Sequence, residues 1–126
     1  MKRAISIPNA PAPVGPYSQA ILSGNMLFIS GQIPLNPENG QLQVASIEES
    51  THQVMKNIQS LLTAAGFNFS QVVKCSIFLK DLNDFSTVNN IYASYFSEIP
   101  PARETVEVSR LPLNVPIEIS CIAVND

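Results

Sequence analysis

Charge is scarce in this chain. Lysine and arginine number seven, aspartate and glutamate ten, in 126 residues. Charged residues make up 13%, against about 25% in an average soluble domain. The cations Lys2, Arg3, Lys56, Lys74, Lys80, Arg103 and Arg110 are scattered, and the net charge is −3. That distribution provides no basic stripe, so no nucleic-acid partner is expected. Histidine occurs once, as His52, off the apolar face of a predicted helix and read as solvated. One histidine leaves no Ser-His-Asp triad and no multi-histidine metal site. The two cysteines, Cys75 and Cys121, are too far apart for a CxxC or zinc motif. The five glycines form neither a phosphate-binding loop nor a dinucleotide fingerprint. No metal and no cofactor are expected. No segment approaches the roughly 20 apolar residues of a membrane span. The start, Met-Lys-Arg-Ala-Ile-Ser-Ile-Pro, has no apolar stretch long enough for a signal peptide. Both cysteines sit in apolar, strand-like runs, which fits a reducing compartment. The expectation is a soluble, cytoplasmic protein with no membrane partner.

Apolar residues, by contrast, reach 45%. The length suits one domain over residues 1–126, able to bury roughly two-thirds of its unfolded surface. So few charges point to surface hidden between subunits, with a very apolar core as the alternative. Ten prolines, at 8, 11, 13, 16, 34, 37, 100, 101, 112 and 116, outline the elements, because proline is excluded from helix interiors and central strands. The gaps predict a strand at 3–7 and a hairpin of 17–23 and 26–31 around Gly24-Asn25. A loop covers 34–44. A helix spans about 46–65, with Ile47, Val54, Met55, Ile58, Leu61, Leu62 and Ala65 at helical spacing and Gly66 as its stop. A strand at 71–80, a helix at 84–97 and strands at 102–109 and 116–124 follow. The order β-β-β-α-β-α-β-β predicts an α+β fold, a mixed sheet with two helices on one face. The bare sheet face then needs a partner.

Two charged residues stand out against this background. Arg103 opens the predicted strand Arg103-Glu104-Thr105-Val106-Glu107-Val108. A guanidinium on rigid sheet suits two parallel hydrogen bonds to a carboxylate. Glu118 interrupts the apolar run Ile117-Glu118-Ile119-Ser120-Cys121-Ile122. Together they point to a small acidic metabolite with a carboxylate near it; an Arg–Glu structural pair is the competing reading. Tyr17 follows the tight turn Gly15-Pro16 as a ligand hydroxyl or a half-buried interface aromatic. Gly31, after Ser30, allows close approach of its amide to a ligand, or marks a bulge. Asn89 lies beside the apolar face of the second helix, and Thr105 is two residues beyond Arg103.

Gly15-Pro16-Tyr17-Ser18-Gln19-Ala20, Ser30-Gly31-Gln32-Ile33-Pro34, Lys80-Asp81-Leu82-Asn83-Asp84-Phe85 and Pro101-Ala102-Arg103 closely resemble the RidA/YjgF family. So do Asn9-Ala10-Pro11, Val106-Glu107-Val108, Arg110-Leu111-Pro112 and Ile117-Glu118-Ile119, all in the family's order. The resemblance implies a chorismate-mutase-like α+β fold and a homotrimer, with three sheets around a barrel-like core and a ligand cleft at each subunit interface. It also implies metabolite damage control, the hydrolysis of reactive 2-imino and 2-enamino acids to 2-oxo acids and ammonia. Such species, 2-aminoacrylate among them, are released by pyridoxal-phosphate-dependent serine and threonine dehydratases. Arg103 then corresponds to the carboxylate-binding arginine and Glu118 to the acidic residue beside the attacking water. Tyr17, Ser30, Gly31 and Asn89 correspond to pocket positions. Many members carry cysteine where this chain has Thr105, so thiol-based regulation at that point is not expected; its backbone N–H can still meet a carboxylate. A non-catalytic trimeric sensor of 2-oxo acids and a ribonuclease or translation inhibitor remain as alternatives.

Overall fold

The computed structural model describes residues 1–7 and 15–126. Prolines 8, 11 and 13 and the run Asn9-Ala10-Pro11 lie outside the described residues. Six strands and two helices follow the predicted order: β1 (Lys2–Ile5), β2 (Ala20–Ser23), β3 (Met26–Gln32), α1 (Ile47–Ala64), β4 (Val72–Leu79), α2 (Phe85–Ala93), β5 (Ala102–Glu107) and β6 (Ile117–Val124). They form one mixed sheet in the order β1-β2-β3-β6-β4-β5. Among these neighbouring strands only β4 and β5 pair in parallel, and parallel neighbours need a crossover connection, supplied here by α2.

The hairpin forms because Ser23 faces Met26 across the two residues Gly24 and Asn25. Gly24 takes φ +60 there, a value that costs a side chain but not glycine. Helix α1 begins where Ser46 accepts a hydrogen bond from the Glu49 amide at 3.1 Å, and Glu48 and Glu49 place negative charge on its positive end. It ends into Gly66 at φ +80, with the Phe67 amide bonded back to the Leu62 carbonyl at 2.8 Å. Val54, Met55, Ile58, Leu61 and Leu62 are buried along one side of α1, against Leu27 and Ile29 of β3 and Ile117, Ile119 and Ala123 of β6. Asn57 is also buried, and its amide donates to the Ile33 and Leu35 carbonyls at 3.2 and 2.8 Å. That contact pins the chain as it leaves β3.

The second helix is shorter than its apolar spacing predicts. After Ala93 the Ser94 hydroxyl bonds the Ile91 carbonyl, and the Tyr95 and Phe96 amides bond only three residues back. The last turn therefore tightens and stops. Tyr95 and Phe96 still pack on the core, from outside the helix.

Both helices lie on one face of the sheet, where Cys75, Ile77, Ile117, Ile119 and Cys121 are buried. The other face carries the alternate residues. Phe28 faces Ile122 across β3 and β6, and Val106 stands there on β5. Phe28 and Val106 are 39% and 41% exposed. Lys74 and Glu104 make the one ion pair among the described residues on this face, at 2.6 Å. Two exposed large side chains and a surface ion pair describe a face that none of the described residues covers. Among the described residues no helix is long and apolar enough to cross a membrane.

Candidate functional site

Strand β5 is paired with β4 so that Arg103 stands beside Cys75 and Thr105 beside Ile77. Paired residues share a face and neighbours alternate, so Arg103 and Thr105 point to the helix side. There the Arg103 guanidinium donates from Nη1 to the Asn89 Oδ1 at 2.6 Å. Its carbon lies 5.5 Å from the Phe85 ring centre and 5.1 Å from that of Tyr92. All three partners come from α2. Phe85, Asn89 and Tyr92 are three or four residues apart and so share one helical face. No carboxylate meets Arg103 among the described residues; its neighbour Glu104 takes Lys74 instead. The Arg–Glu structural pair is therefore absent. One of the five N–H donors of the guanidinium serves Asn89, and Arg103 lines a cavity of about 450 Å³ together with Asn89, Tyr92, Phe96, Glu98 and Pro101. A cation held by an amide and two rings, without a counter-ion, is prepared for an anion.

Glu118 lies on the opposite face. It pairs with Phe78, one step out of phase with the Cys75 and Ile77 row. The carboxylate is half-buried, and burial pushes its pKa above the usual range. No hydrogen bond or ion pair holds it among the described residues. It rests against Gly31, where β3 bulges between Ile29 and Gln32. A Cβ at Gly31 would stand 2.6 Å from the Glu118 Cδ, far inside van der Waals contact. Gly31 is thus a glycine because the carboxylate occupies the space of its missing side chain. The bulge was legible in the sequence; this contact, between residues 87 positions apart, was not.

The remaining predicted residues separate accordingly. Asn89 joins Arg103. Gly31 joins Glu118. The Ser30 hydroxyl donates to the Ser18 carbonyl at 2.6 Å, and its amide bonds the Gln19 carbonyl at 2.9 Å. Ser30 thereby ties β3 to the segment carrying Tyr17. Tyr17 itself is 56% exposed, with its amide bonded to the Gly15 carbonyl at 2.9 Å. The Thr105 hydroxyl is buried and has no hydrogen-bond partner among the described residues. Within one chain, then, Arg103 and Glu118 do not share a pocket.

Sequence reasoning missed Phe85 and Tyr92. Their signal was present: two aromatics flanking Asn89 at helical spacing, facing a scarce arginine. Tyr92 is 5% exposed, and burial pushes its phenol well above the ordinary tyrosine range, so the ring beside Arg103 carries no charge. Behind it, Cys75 and Cys121 face each other across β4 and β6 as buried free thiols. A hydrogen bond from Cys121 lowers the pKa of Cys75, and the same bond raises that of Cys121.

Comparison with known proteins gives one consistent result. The family described as Endoribonuclease L-PSP matches residues 7–125. A RutC family protein of Pyrococcus horikoshii is 53% identical over 123 residues, 98% of each chain. The 2-iminobutanoate/2-iminopropanoate deaminase of Escherichia coli K12 is 46% identical over 127 aligned positions, 98% of each chain. A crystal structure from the conserved Rid protein family of Yersinia pestis superposes with a TM-score of 0.95 at 48% identity, covering 99% of this chain and 100% of that one.

Proposed function

The chain belongs to the Endoribonuclease L-PSP family, the RidA/YjgF proteins, and on that premise we propose that it hydrolyses 2-iminobutanoate and 2-iminopropanoate. These are the imine tautomers of short 2-enamino acids, 2-aminoacrylate among them. The products are the 2-oxo acid and ammonia. The observation that carries the reading is the Arg103 guanidinium at the wall of a cavity, with no counter-ion among the described residues. Every candidate substrate offers it a carboxylate.

The protonated C=N of such a substrate is already electrophilic, so little machinery is needed. Arg103 binds the carboxylate and fixes C2. A water oxygen attacks C2 while Glu118 takes the water's proton. Its raised pKa brings the carboxylate nearer to neutral pH, where a general base is most effective. The carbinolamine so formed breaks its C–N bond. Glu118 returns its proton to the nitrogen, which leaves as ammonia and takes up the hydroxyl proton as the C–O bond becomes the carbonyl. Because Arg103 and Glu118 lie on opposite faces of one sheet, the complete site requires the Arg103 side of one protomer and the Glu118 side of another. A homotrimer with clefts between subunits meets that requirement and covers Phe28 and Val106. In this reading residues 1–126 act as one domain, Tyr17 and Ser30 border the cleft from the Glu118 side, and the Thr105 backbone assists Arg103. The compartment proposed is the cytoplasm.

The family's description as an endoribonuclease supplies a second reading. The scattered cations and single His52 give it little support. A dehydratase assay producing imine in place, with and without this protein, measures faster 2-oxo acid release if the proposal holds. Release unchanged over a wide range of protein concentration refutes it. RNA cleavage that survives repeated purification favours the alternative.

A further inference from the structure

Beside the Arg103 cavity lies a second, more enclosed one of about 110 Å³, lined by Phe69, Ser70, Tyr95, Phe96, Ser97 and Glu98 among others. The two share Phe96 and Glu98. Phe69 sits 5.5 Å from Tyr95 at 55° and 5.4 Å from Phe96 at 81°. The rings meet tilted or edge-on rather than stacked face to face, and all three line the cavity. No protein cation lies over any of them among the described residues, since Arg103 is spent on Phe85 and Tyr92. The Tyr95 hydroxyl is bonded to His52 Nδ1 at 2.7 Å, and burial raises the pKa of its phenol, so that wall is neutral. The Glu98 carboxylate makes no ion pair among the described residues. Aromatic rings with one carboxylate form an environment that binds organic cations. The volume equals that of three or four waters at about 30 Å³ each, room for a guanidinium or a small alkylammonium group.

We infer that this cavity receives the cationic end of a ligand whose carboxylate is held by Arg103. The ligand class is 2-imino and 2-oxo acids with a positively charged side chain. The inference rests on the reading of Arg103 as a carboxylate binder and extends it. Glu98 and the three rings become specificity-determining residues. They favour a positive side chain and, through Glu98, disfavour a negative one, without touching the reacting carbon.

Calorimetric titration of the full chain tests this. The probes are 2-oxobutanoate, which lacks the side-chain cation, and 5-guanidino-2-oxopentanoate, which has it. Wild type is expected to bind the guanidino acid about tenfold more tightly, the scale of a desolvated cation on aromatic faces. Phe69→Leu should remove most of that preference and leave 2-oxobutanoate affinity within about twofold, and Glu98→Gln, which also alters the wall of the Arg103 cavity, should remove the preference of the guanidino acid over 2-oxobutanoate. Glu98 is exposed, so Glu98→Gln serves even if Phe69→Leu fails to fold. Equal affinity of wild type for the two acids overturns the inference while leaving Arg103 as a carboxylate binder. A preference that survives Glu98→Gln overturns it too. Binding of neither acid refutes the reading of Arg103 itself, and the inference with it.

Discussion

Gly31→Ala offers a test in which stability and function should part company. The added Cβ would fall 2.6 Å from the Glu118 Cδ and 3.0 Å from its Cγ, and closer still to Oε2. The carboxylate must therefore move by about 1 Å or more to restore ordinary contact. That movement costs little, because the side chain is flexible, half-buried and not hydrogen-bonded among the described residues. Gly31 also lacks the positive φ of Gly24 and Gly66, so alanine fits its backbone. Restricting the unfolded chain then contributes about 0.4–1 kcal/mol in favour of folding. The melting temperature is expected to stay within a few degrees of wild type. Turnover should fall by about 10²-fold, the penalty for misplacing a reacting group by about 1 Å. Affinity for 2-oxobutanoate, set on the Arg103 side, should change by no more than a few-fold. The assay is steady-state imine hydrolysis beside a melting curve and a calorimetric titration. Wild-type turnover in a folded Gly31→Ala protein would refute the assignment of Glu118 to the attacking water.

Arg103→Ala should remove two charge-assisted hydrogen bonds of about 1.5–3 kcal/mol each and lower kcat/KM by about 10²–10⁴. Arg103→Lys should recover only part, because an ammonium lacks the planar fork; preserved 2-oxobutanoate affinity in a destabilised Arg103→Ala protein would show that the residue is structural. Glu118→Gln should keep 2-oxobutanoate binding and lose about 10²-fold in turnover. The folded pKa of Glu118 lies above its unfolded value, so its contribution to stability declines as pH rises from the unfolded carboxylate pKa through the folded one. Glu118→Gln should therefore be more stable than wild type at neutral pH, with the difference shrinking towards pH 4 in denaturant titrations. Thr105→Cys replaces a buried hydroxyl that has no partner among the described residues and should raise stability by about 1 kcal/mol, with imine hydrolysis within a few-fold of wild type; a large gain in activity would mean the side chain takes part in the chemistry.

Local signals made much of this fold legible. Helix α1 announced itself through the spacing from Ile47 to Leu62 and the Gly66 stop, which depend on neighbours within a few residues. The hairpin at Gly24-Asn25 was legible for the same reason. The end of α2 was not, because Tyr95 and Phe96 keep helical spacing while their backbone has already left the helix. Leu113 could not be foreseen either. It holds φ 53, and Asn114 beside it φ 56, where the Asn114 side chain accepts from Lys80 Nζ at 2.8 Å. At the site, Arg103 and Glu118 stood out as charges in apolar strands. Their separation to opposite faces depends on how β4 pairs with both β5 and β6, which is a property of register and not of either residue. The aromatic seat of Arg103 likewise needed the helix phase of α2 relative to the edge strand.

That separation has a genetic consequence. If each cleft joins one protomer's Arg103 to another's Glu118, two dead proteins can rescue each other. An Arg103→Ala chain still offers a good Glu118, and a Glu118→Gln chain still offers a good Arg103. Co-assembled in equal amounts through a head-to-tail interface, roughly a quarter of the clefts would combine the two intact halves. Mixing inactive alleles would then restore activity that neither allele has alone. A site built wholly within one chain admits no such rescue.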